Sequence, residues 1–277
     1  MKRLLIVLFF TAIISAVVGS ELFCAFTLHV ARHPPRSMAI YQQRFPSADW
    51  QAVSIEARDR AQLHGWFIRP QPDTARCVIV LHGIADSRSG SVGFAPMFLA
   101  RGYAVLAPDS RAHGESGGEF VTYGVLERYD VLQWVHWMQR SGCTAVYGLG
   151  ESLGASIRAA VAESAYSDLP AIAEYRLPTL SLLSKTIVRC GMAYARIRFG
   201  LDLWQISPLQ AMAQTSTPIL LIHGLEDEKT PPWHSQTLAG ANHRAVLWLV
   251  PHAGHTAAAG VAPIEFRQRV LAWFADH

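Results

Sequence analysis

The stretch that decides the fold is GLGESLGASIRAAVAESAYSDL, residues 148–169. It overlaps a short apolar run, AVYGLG (145–150), which is typical of a strand buried on both faces. Ser152 then stands between Gly150 and Gly154, in the pattern Gly-x-Ser-x-Gly. A serine that follows a buried strand in this pattern is a candidate nucleophile on a tight turn.

The rest of the chain alternates between strand and helix patterns. An N-terminal hairpin is predicted from QAVSIEA and LHGWFI, which are rich in β-branched and aromatic residues. Further strands are predicted at 77–83, 103–109, 218–224 and 245–251, and helices at about 94–101, 125–140 and 263–275. Such alternation predicts a single α/β domain with a mostly parallel sheet, covered on both faces by helices.

Residues 1–31 are basic at the start and apolar afterwards. Residues 4–31 would form one helix of about 42 Å, longer than the ~30 Å hydrocarbon core of a bilayer. The favoured interpretation is an uncleaved membrane anchor, and the alternative is a signal peptide cleaved near Val18-Gly19-Ser20. Lys2 and Arg3 precede the apolar stretch, which predicts a cytoplasmic N-terminus and a domain on the extracytoplasmic side.

Composition excludes several classes of function. The net charge of +3 is small and spread along the chain, so nucleic-acid binding is not expected. The cysteines lie far apart without ligand-like spacing, which predicts neither a zinc site nor a disulfide framework. Cys77 opens an apolar run and is expected to be a buried thiol. The other cysteines are Cys24, Cys143 and Cys190.

Two more candidate catalytic residues follow predicted strands. Asp227 lies three residues after the strand 218–224, and His255 lies four residues after the strand 245–251. Carboxyl ends of parallel strands meet at one edge of a sheet, which is where open α/β sheets carry their sites. Serine needs a base to accept its proton, an acid to orient that base and N–H donors for the oxyanion. The order Ser, Asp, His is that of the α/β-hydrolases.

The segments VLHGIADSR, GYAVLAPDSRAHGESGG, GLGESLGAS, LLIHGLEDEKTPP and PHAGHT resemble the α/β-hydrolase fold superfamily. They resemble especially its membrane-anchored bacterial serine hydrolases, the esterases and serine aminopeptidase-like proteins. The resemblance covers about residues 50–277. It implies an α/β-hydrolase domain over residues 32–277, with a small helical lid at about 170–206.

The resemblance also implies roles for individual residues. Ser152 would be the nucleophile, Asp227 the acid and His255 the base. The backbone N–H groups of Ile84 and Leu153 would form the oxyanion hole. The implied substrate is a small acyl compound, a carboxylic ester first and a thioester or amide second, with neither metal nor organic cofactor.

Each assignment has an alternative in the sequence. GESGG (114–118) repeats the serine pattern around Ser116, but it stands away from its strand and leads into a loop. Glu226 and Glu228 flank the acid, and His252 shares a loop with the base. His82, His113, Arg111 and Asp130 are interpreted as structural.

The segment after Ser152 is unusually short. In the resembling families a helix of several turns follows the nucleophile, and a strand comes only after it. Here about five residues, 153–157, separate Ser152 from a strand-like AAVAES, whereas a parallel crossover normally takes a dozen or more. Either SLGASIRAAVAESAY (152–166) is itself the helix, which its alanines favour, or a helix has been lost.

The short segment leaves two functional hypotheses open. The first is a serine hydrolase acting through an acyl-enzyme on Ser152. The second is a hydrolase fold disabled by the shortened connection, because the helix N-terminus helps to form the oxyanion site. Residues 170–206 are likewise either a lid over an acyl pocket or an ordinary packing helix pair.

Overall fold

A mixed, mostly parallel sheet organises the protein. The computed structural model describes residues 2–150, 157–176 and 181–277. Within these ranges eight strands form one sheet in the order β1-β2-β4-β3-β5-β6-β7-β8. The first two pairings in that order, β1–β2 and β2–β4, are antiparallel, and the other five are parallel. The strands are β1 (Asp49–Glu56), β2 (Gln62–Arg69), β3 (Arg76–Val80), β4 (Ala104–Pro108), β5 (Ala145–Leu149), β6 (Ala160–Glu163), β7 (Ile219–Gly224) and β8 (Ala245–Val250).

Helices connect the strands and cover the sheet, as predicted. Short 3₁₀ turns lie at Val92–Phe94 and Leu203–Gln205. The α-helices in the described ranges are α1 (Lys2–Leu28), α2 (Met38–Gln42), α3 (Arg88–Ser91), α4 (Ala95–Leu99), α5 (Glu127–Arg140), α6 (Leu169–Arg176), α7 (Ser181–Phe199), α8 (Pro208–Gln214), α9 (Trp233–Ala241), α10 (Ala258–Val261) and α11 (Pro263–Asp276).

The core lies on both faces of the sheet. On one face, α4 and α11 pack against the sheet through Phe98, Phe266 and Phe274. On the other face, α5 covers one half through Trp134 and Met138, whereas α8 and α9 cover the other half. Because neighbouring side chains of a strand point to opposite faces, the central strands are apolar throughout, which explains their unbroken hydrophobic runs.

The prediction that residues 152–166 form a helix is wrong where the structure describes them. Ala160–Glu163 is β6, paired in parallel with both β5 and β7. The alanines favour a helix by intrinsic propensity, but tertiary pairing overrides such a weak preference. As a strand, the segment satisfies its backbone groups on both sides, since Ala160 N–H donates to Pro218 O and Gly150 N–H donates to Val161 O. The alternative, a connection without room for a long helix, is the better description.

The connection between β5 and β6 is ten residues long, 150–159. Its first residue, Gly150, has φ +149°, and a Cβ there would lie 2.7 Å from the Leu81 Cβ. Glycine is therefore required for the close approach of β5 to the loop after β3. At the other end, the half-buried Ile157 packs against both the α5 cluster and the α8–α9 cluster. Ile157 thus bridges the two parts of the core on that face.

Cys77 and Cys143 form a disulfide, so the prediction of a buried free thiol at Cys77 is wrong. The two Cα atoms lie 5.8 Å apart, within the range that a disulfide spans. Cys77 is on β3, and Cys143 lies in the turn before β5, the parallel neighbour of β3. The two cysteines are 66 residues apart in the sequence, so local spacing could not predict this pairing. Cys24 is a buried and Cys190 an exposed free cysteine.

The N-terminal apolar stretch forms the helix α1, and its end packs onto α7. Cys24 and Leu28 are buried in one cluster with Val188 and Met192 of α7. The Leu28 carbonyl also accepts the Val121 N–H. Among the helices in the described part of the chain, none is both long and apolar enough to cross a bilayer, so the predicted anchor in residues 1–31 is not confirmed.

Candidate active site

Asp227 is held in the turn that follows β7. It is buried, and its Oδ1 accepts the backbone N–H groups of Lys229 (3.0 Å) and Thr230 (2.8 Å). Burial opposes ionisation of the carboxyl, but hydrogen bonds from Thr230, His255 and Ser164 outweigh it and hold the Asp227 pKa below its usual range. Asp227 is therefore a carboxylate with a fixed orientation, as an acid that orients a base must be.

His255 faces this carboxylate from the loop after β8. Its Nδ1–H donates to Asp227 Oδ2 at 2.8 Å, and its side chain is 22% exposed. Among the described residues its Nε2 has no hydrogen-bond partner, which leaves a lone pair able to accept a proton. The structure thus brings two of the predicted catalytic residues together in the geometry that a general base requires.

The loop that carries His255 is fixed against the end of β7. Glu226 N–H donates to Ala253 O at 2.9 Å. A Cβ at Gly224 would overlap the carbonyl oxygens of Ala253 and Gly254. Only glycine at position 224 lets the two loops approach this closely, and their contact sets the distance between acid and base.

Glu226 and His252, the alternative acid and the alternative base, contact each other. His252 Nδ1 lies 3.0 Å from Glu226 Oε1, with side-chain exposures of 85% and 62%. Glu228 is also exposed. This solvent-exposed pair lacks the burial and the backbone hydrogen bonds that fix Asp227, so it does not compete for the role.

The alternative nucleophile Ser116 is a buried structural residue. Its Oγ donates to Asp109 O at 2.8 Å and accepts the His64 N–H at 2.9 Å. These two bonds tie the GESGG turn to β2 and β4. Ser152 and Leu153, the predicted nucleophile and oxyanion donor, lie outside the described residues.

The other predicted oxyanion donor lies in the loop after β3. The Ile84 N–H has no acceptor among the described residues and is free to bind a ligand oxygen. The next residue, Ala85, has φ +63° and donates its N–H to His113 Nε2 at 3.1 Å. His113 Nδ1–H donates to Arg111 O at 2.8 Å. Since Nε2 accepts a hydrogen bond and Nδ1 donates one, His113 is neutral, and its two bonds hold this loop in place.

His82, Arg111 and Asp130, which were predicted to be structural, link neighbouring loops and a helix. His82 Nε2 accepts the Ser110 N–H at 3.0 Å, and burial lowers the pKa of His82 and of His113. Arg111 Nε donates to Asp130 at 2.7 Å. These bonds connect the loops after β3 and β4 to α5.

Several residues around Asp227 and His255 escaped the sequence analysis. His223 is fully buried on β7, with Nε2 2.7 Å from Thr230 O and 3.3 Å from Asp227 Oδ2. Ser164 and Glu163, at the end of β6, bind the loop beyond His255. The one signal available for Ser164 was its place directly after a strand, which becomes informative only when that segment is recognised as a strand.

His234 is a second buried histidine near the site. Its Nδ1 accepts the Ser167 N–H at 3.1 Å and lies 2.8 Å from Ser167 Oγ, so Nε2 carries the proton. That Nε2 is buried without a partner among the described residues. Burial lowers the pKa of His234 to about 4.

We expect the low pKa of His234 to make the protein acid-sensitive. The unfolded chain binds a proton near its ordinary pKa of about 6.5, whereas folded His234 binds it only near 4. Protonation of His234 should therefore lower the free energy of unfolding by roughly 3 kcal/mol as pH drops from about 6.5 to about 4. Urea denaturation at several pH values measures the total fall, to which the buried His82 and His113 also contribute. His234→Asn should reduce this fall by about that amount, and the exposed control His252→Asn should leave it unchanged. An unchanged slope in His234→Asn would contradict the assignment.

No group of three His, Cys, Asp or Glu side chains in the described ranges is arranged to hold a metal ion.

Known proteins resemble most of this chain. The profile of the prolyl oligopeptidase family matches residues 91–277. The uncharacterized protein YqkD of Bacillus subtilis (strain 168) is 28% identical over 211 residues, which cover 68% of this chain and 67% of YqkD.

Solved structures with the same fold include an esterase and a peptidase. The Pyrococcus furiosus esterase Pf2001 superposes with a TM-score of 0.70 at 23% identity, covering 89% of this chain and 99% of the esterase. The Pyrococcus horikoshii acylaminoacyl peptidase gives a TM-score of 0.59 at 14% identity, covering 88% of this chain and 43% of the peptidase. The sheet and its helices are therefore those of an α/β-hydrolase.

Proposed function

Because the chain belongs to the prolyl oligopeptidase family of serine hydrolases, we propose that it cleaves carboxylic esters through an acyl-enzyme on Ser152. The observation that carries this proposal is the Nδ1–H···Oδ2 bond of 2.8 Å between His255 and Asp227. This bond fixes the tautomer that leaves Nε2 as the proton acceptor.

In the proposed reaction, His255 accepts the proton of Ser152 as its oxygen attacks the acyl carbon. His255 then gives that proton to the departing alcohol, and a water molecule repeats the sequence to release the acid. Asp227 stays ionised and stabilises the imidazolium that forms at each step. The N–H groups of Ile84 and Leu153 would bind the oxyanion.

The choice of esters over amides rests on the structural neighbours. The chain covers 99% of the Pyrococcus furiosus esterase but 43% of the acylaminoacyl peptidase. Thioesters and amides remain secondary candidates, since the same acyl-enzyme chemistry serves all three. Comparing the p-nitrophenyl ester and the p-nitroanilide of one acyl group separates these activities.

A second hypothesis, a disabled hydrolase, has its own supporting observation. The connection between β5 and β6 has ten residues, whereas parallel crossovers normally need a dozen or more. This leaves little length for the helix whose N-terminus would support Ser152 and the Leu153 N–H.

Fluorophosphonate labelling of the full chain tests the two hypotheses. A working nucleophile should react covalently, and Ser152→Ala should abolish the reaction, with intact mass spectrometry as the readout. Ser116→Ala is the control. It should keep the label and lose about 1–3 kcal/mol of stability, because the His64 N–H loses its buried acceptor. A folded wild-type protein that does not react would favour the disabled hydrolase, and labelling that persists in Ser152→Ala would remove Ser152 from the mechanism.

A further inference from the structure

We propose that Ser164 is a positioning residue for the Asp227–His255 pair, an inference that rests on the proposed serine-hydrolase function. Ser164 directly follows β6 and lies at the carboxyl edge of the sheet, beside the ends of β5 and β7. It is 3% exposed, and its N–H donates to Ile222 O at 2.9 Å. This bond fixes its backbone N–H to β7.

The hydroxyl of Ser164 holds the loop that carries His255. Its Oγ accepts the N–H of Thr256, the residue directly after His255, at 3.0 Å. The same hydroxyl lies close enough to the Asp227 carboxylate to help lower its pKa. The Ser164 side chain thus fixes the backbone next to the base, beside the acid.

Glu163 supports the same loop from the neighbouring position. Its Oε1 accepts the Ala258 N–H at 2.9 Å. The end of β6 therefore holds the backbone at both 256 and 258, and so fixes the course of the chain on the far side of His255. Loops of this kind are otherwise among the more mobile parts of a protein.

The backbone at this site adopts unusual conformations that these contacts maintain. Ser164 has φ +51°, and Thr256 also has φ +51°. Residues with a Cβ seldom adopt this left-handed region, because it is sterically unfavourable. Such strain persists only where surrounding contacts determine it, and it occurs preferentially at functional sites. The hydrogen bond from the Thr256 N–H to the Ser164 hydroxyl is one such contact.

The chemical consequence is an oriented base. Without the Ser164 hydroxyl, the loop after His255 loses one attachment, so His255 is held less firmly against Asp227. We expect kcat to fall by about 10- to 100-fold, because a misplacement of about 1 Å in a catalytic site can cost about 100-fold. The KM should stay unchanged, because Ser164 binds the loop after His255 and its role requires no contact with the substrate.

The test uses the full chain with Ser164→Ala and Ser164→Gly. Glycine tolerates φ +51°, so it removes the hydroxyl without adding backbone strain. Ser167→Ala is the matched control. Ser167 is equally buried and lies three residues further on, but its hydroxyl binds His234.

Two readouts separate this proposal from the proposed function. The first is the far-downfield proton resonance of the bond between His255 Nδ1 and Asp227, which exists whether or not Ser152 reacts. Both Ser164 variants should shift or broaden it, and Ser167→Ala should leave it in place. The second is the rate of fluorophosphonate labelling, which should fall about 10- to 100-fold in the Ser164 variants.

The resonance alone decides the role of Ser164. An unchanged resonance in both folded Ser164 variants, or its absence from the wild-type protein, would overturn the proposal. A wild-type protein that does not react with the probe, but whose resonance moves in the Ser164 variants, would keep Ser164 as a positioning residue and remove the proposed hydrolase activity.

Discussion

Asp227→Asn is expected to lower kcat by on the order of 10⁴-fold with little change in KM. An asparagine can keep the Oδ1 bonds to Lys229 and Thr230, so the loop after β7 should remain folded. Its amide nitrogen, however, is a donor where His255 Nδ1–H needs an acceptor. The histidine would then adopt the tautomer with Nε2 protonated, which cannot accept the serine proton.

The neighbouring Glu226→Gln is the matched control for this prediction. It makes the same change from carboxylate to amide one residue away, on an exposed side chain whose hydrogen-bond partner in the described part of the chain is the exposed His252. Hydrolysis of a p-nitrophenyl ester gives kcat and KM for both variants. Equal losses in the two variants, or a small loss in a folded Asp227→Asn, would exclude Asp227 as the acid of the site.

Removing the disulfide is expected to cost about 2–5 kcal/mol of the free energy of unfolding. The bond between Cys77 and Cys143 closes a separation of 66 residues, and it links β3 to the start of β5 in the centre of the sheet. The variant carrying both Cys77→Ala and Cys143→Ala measures this loss by urea denaturation. Cys190→Ala is the control, because this thiol is free and exposed.

Reductant provides an independent check on the same bond. Dithiothreitol should destabilise the wild-type protein and have no effect on the double variant. A double variant as stable as the wild-type protein would show that the bond does not contribute to folding. Destabilisation of the double variant by dithiothreitol would show that some other disulfide is involved.

We propose that the domain lies on the extracytoplasmic side, as the N-terminal charges predict, and the disulfide supports this proposal. Disulfides form and persist in oxidising compartments and are rare in the cytosol. Alkylation of thiols in intact cells, before any exposure to air, tests this. Cys77 and Cys143 should become reactive only after reduction, whereas Cys24 and Cys190 should react in the denatured protein without it. Four reactive thiols in unreduced protein would refute the proposal.

The central strands and the acid–base pair could be predicted because each has a recognisable local sequence pattern. Strands such as β3 and β7 are buried on both faces, so each is an unbroken apolar run. Asp227 and His255 lie three and four residues after the apolar runs 218–224 and 245–251, at the edge of the sheet where parallel strands end. Topology therefore brings the two loops together, and the resemblance to the α/β-hydrolases selects these two residues within them.

The predictions from sequence were wrong or incomplete where long-range contacts determine the structure. The segment Ala160–Glu163 has helical propensity, but its strand geometry depends on partners on either side that no local pattern reveals. The Cys77–Cys143 bond depends on the order of strands, which places β3 beside β5. Ser164 was missed for both reasons, since its importance depends on β6 being a strand and on the loop from β8 passing over it.

The packing of α1 on α7 also constrains how the region around the site could move. The Phe23 ring lies where a Cβ would be at Gly191, so the two helices interlock through a side chain and a bare backbone. Because Cys24 and Leu28 are buried in the same contact, α7 cannot slide along α1 without separating from it. A movement of α7 would therefore carry α1 along with it.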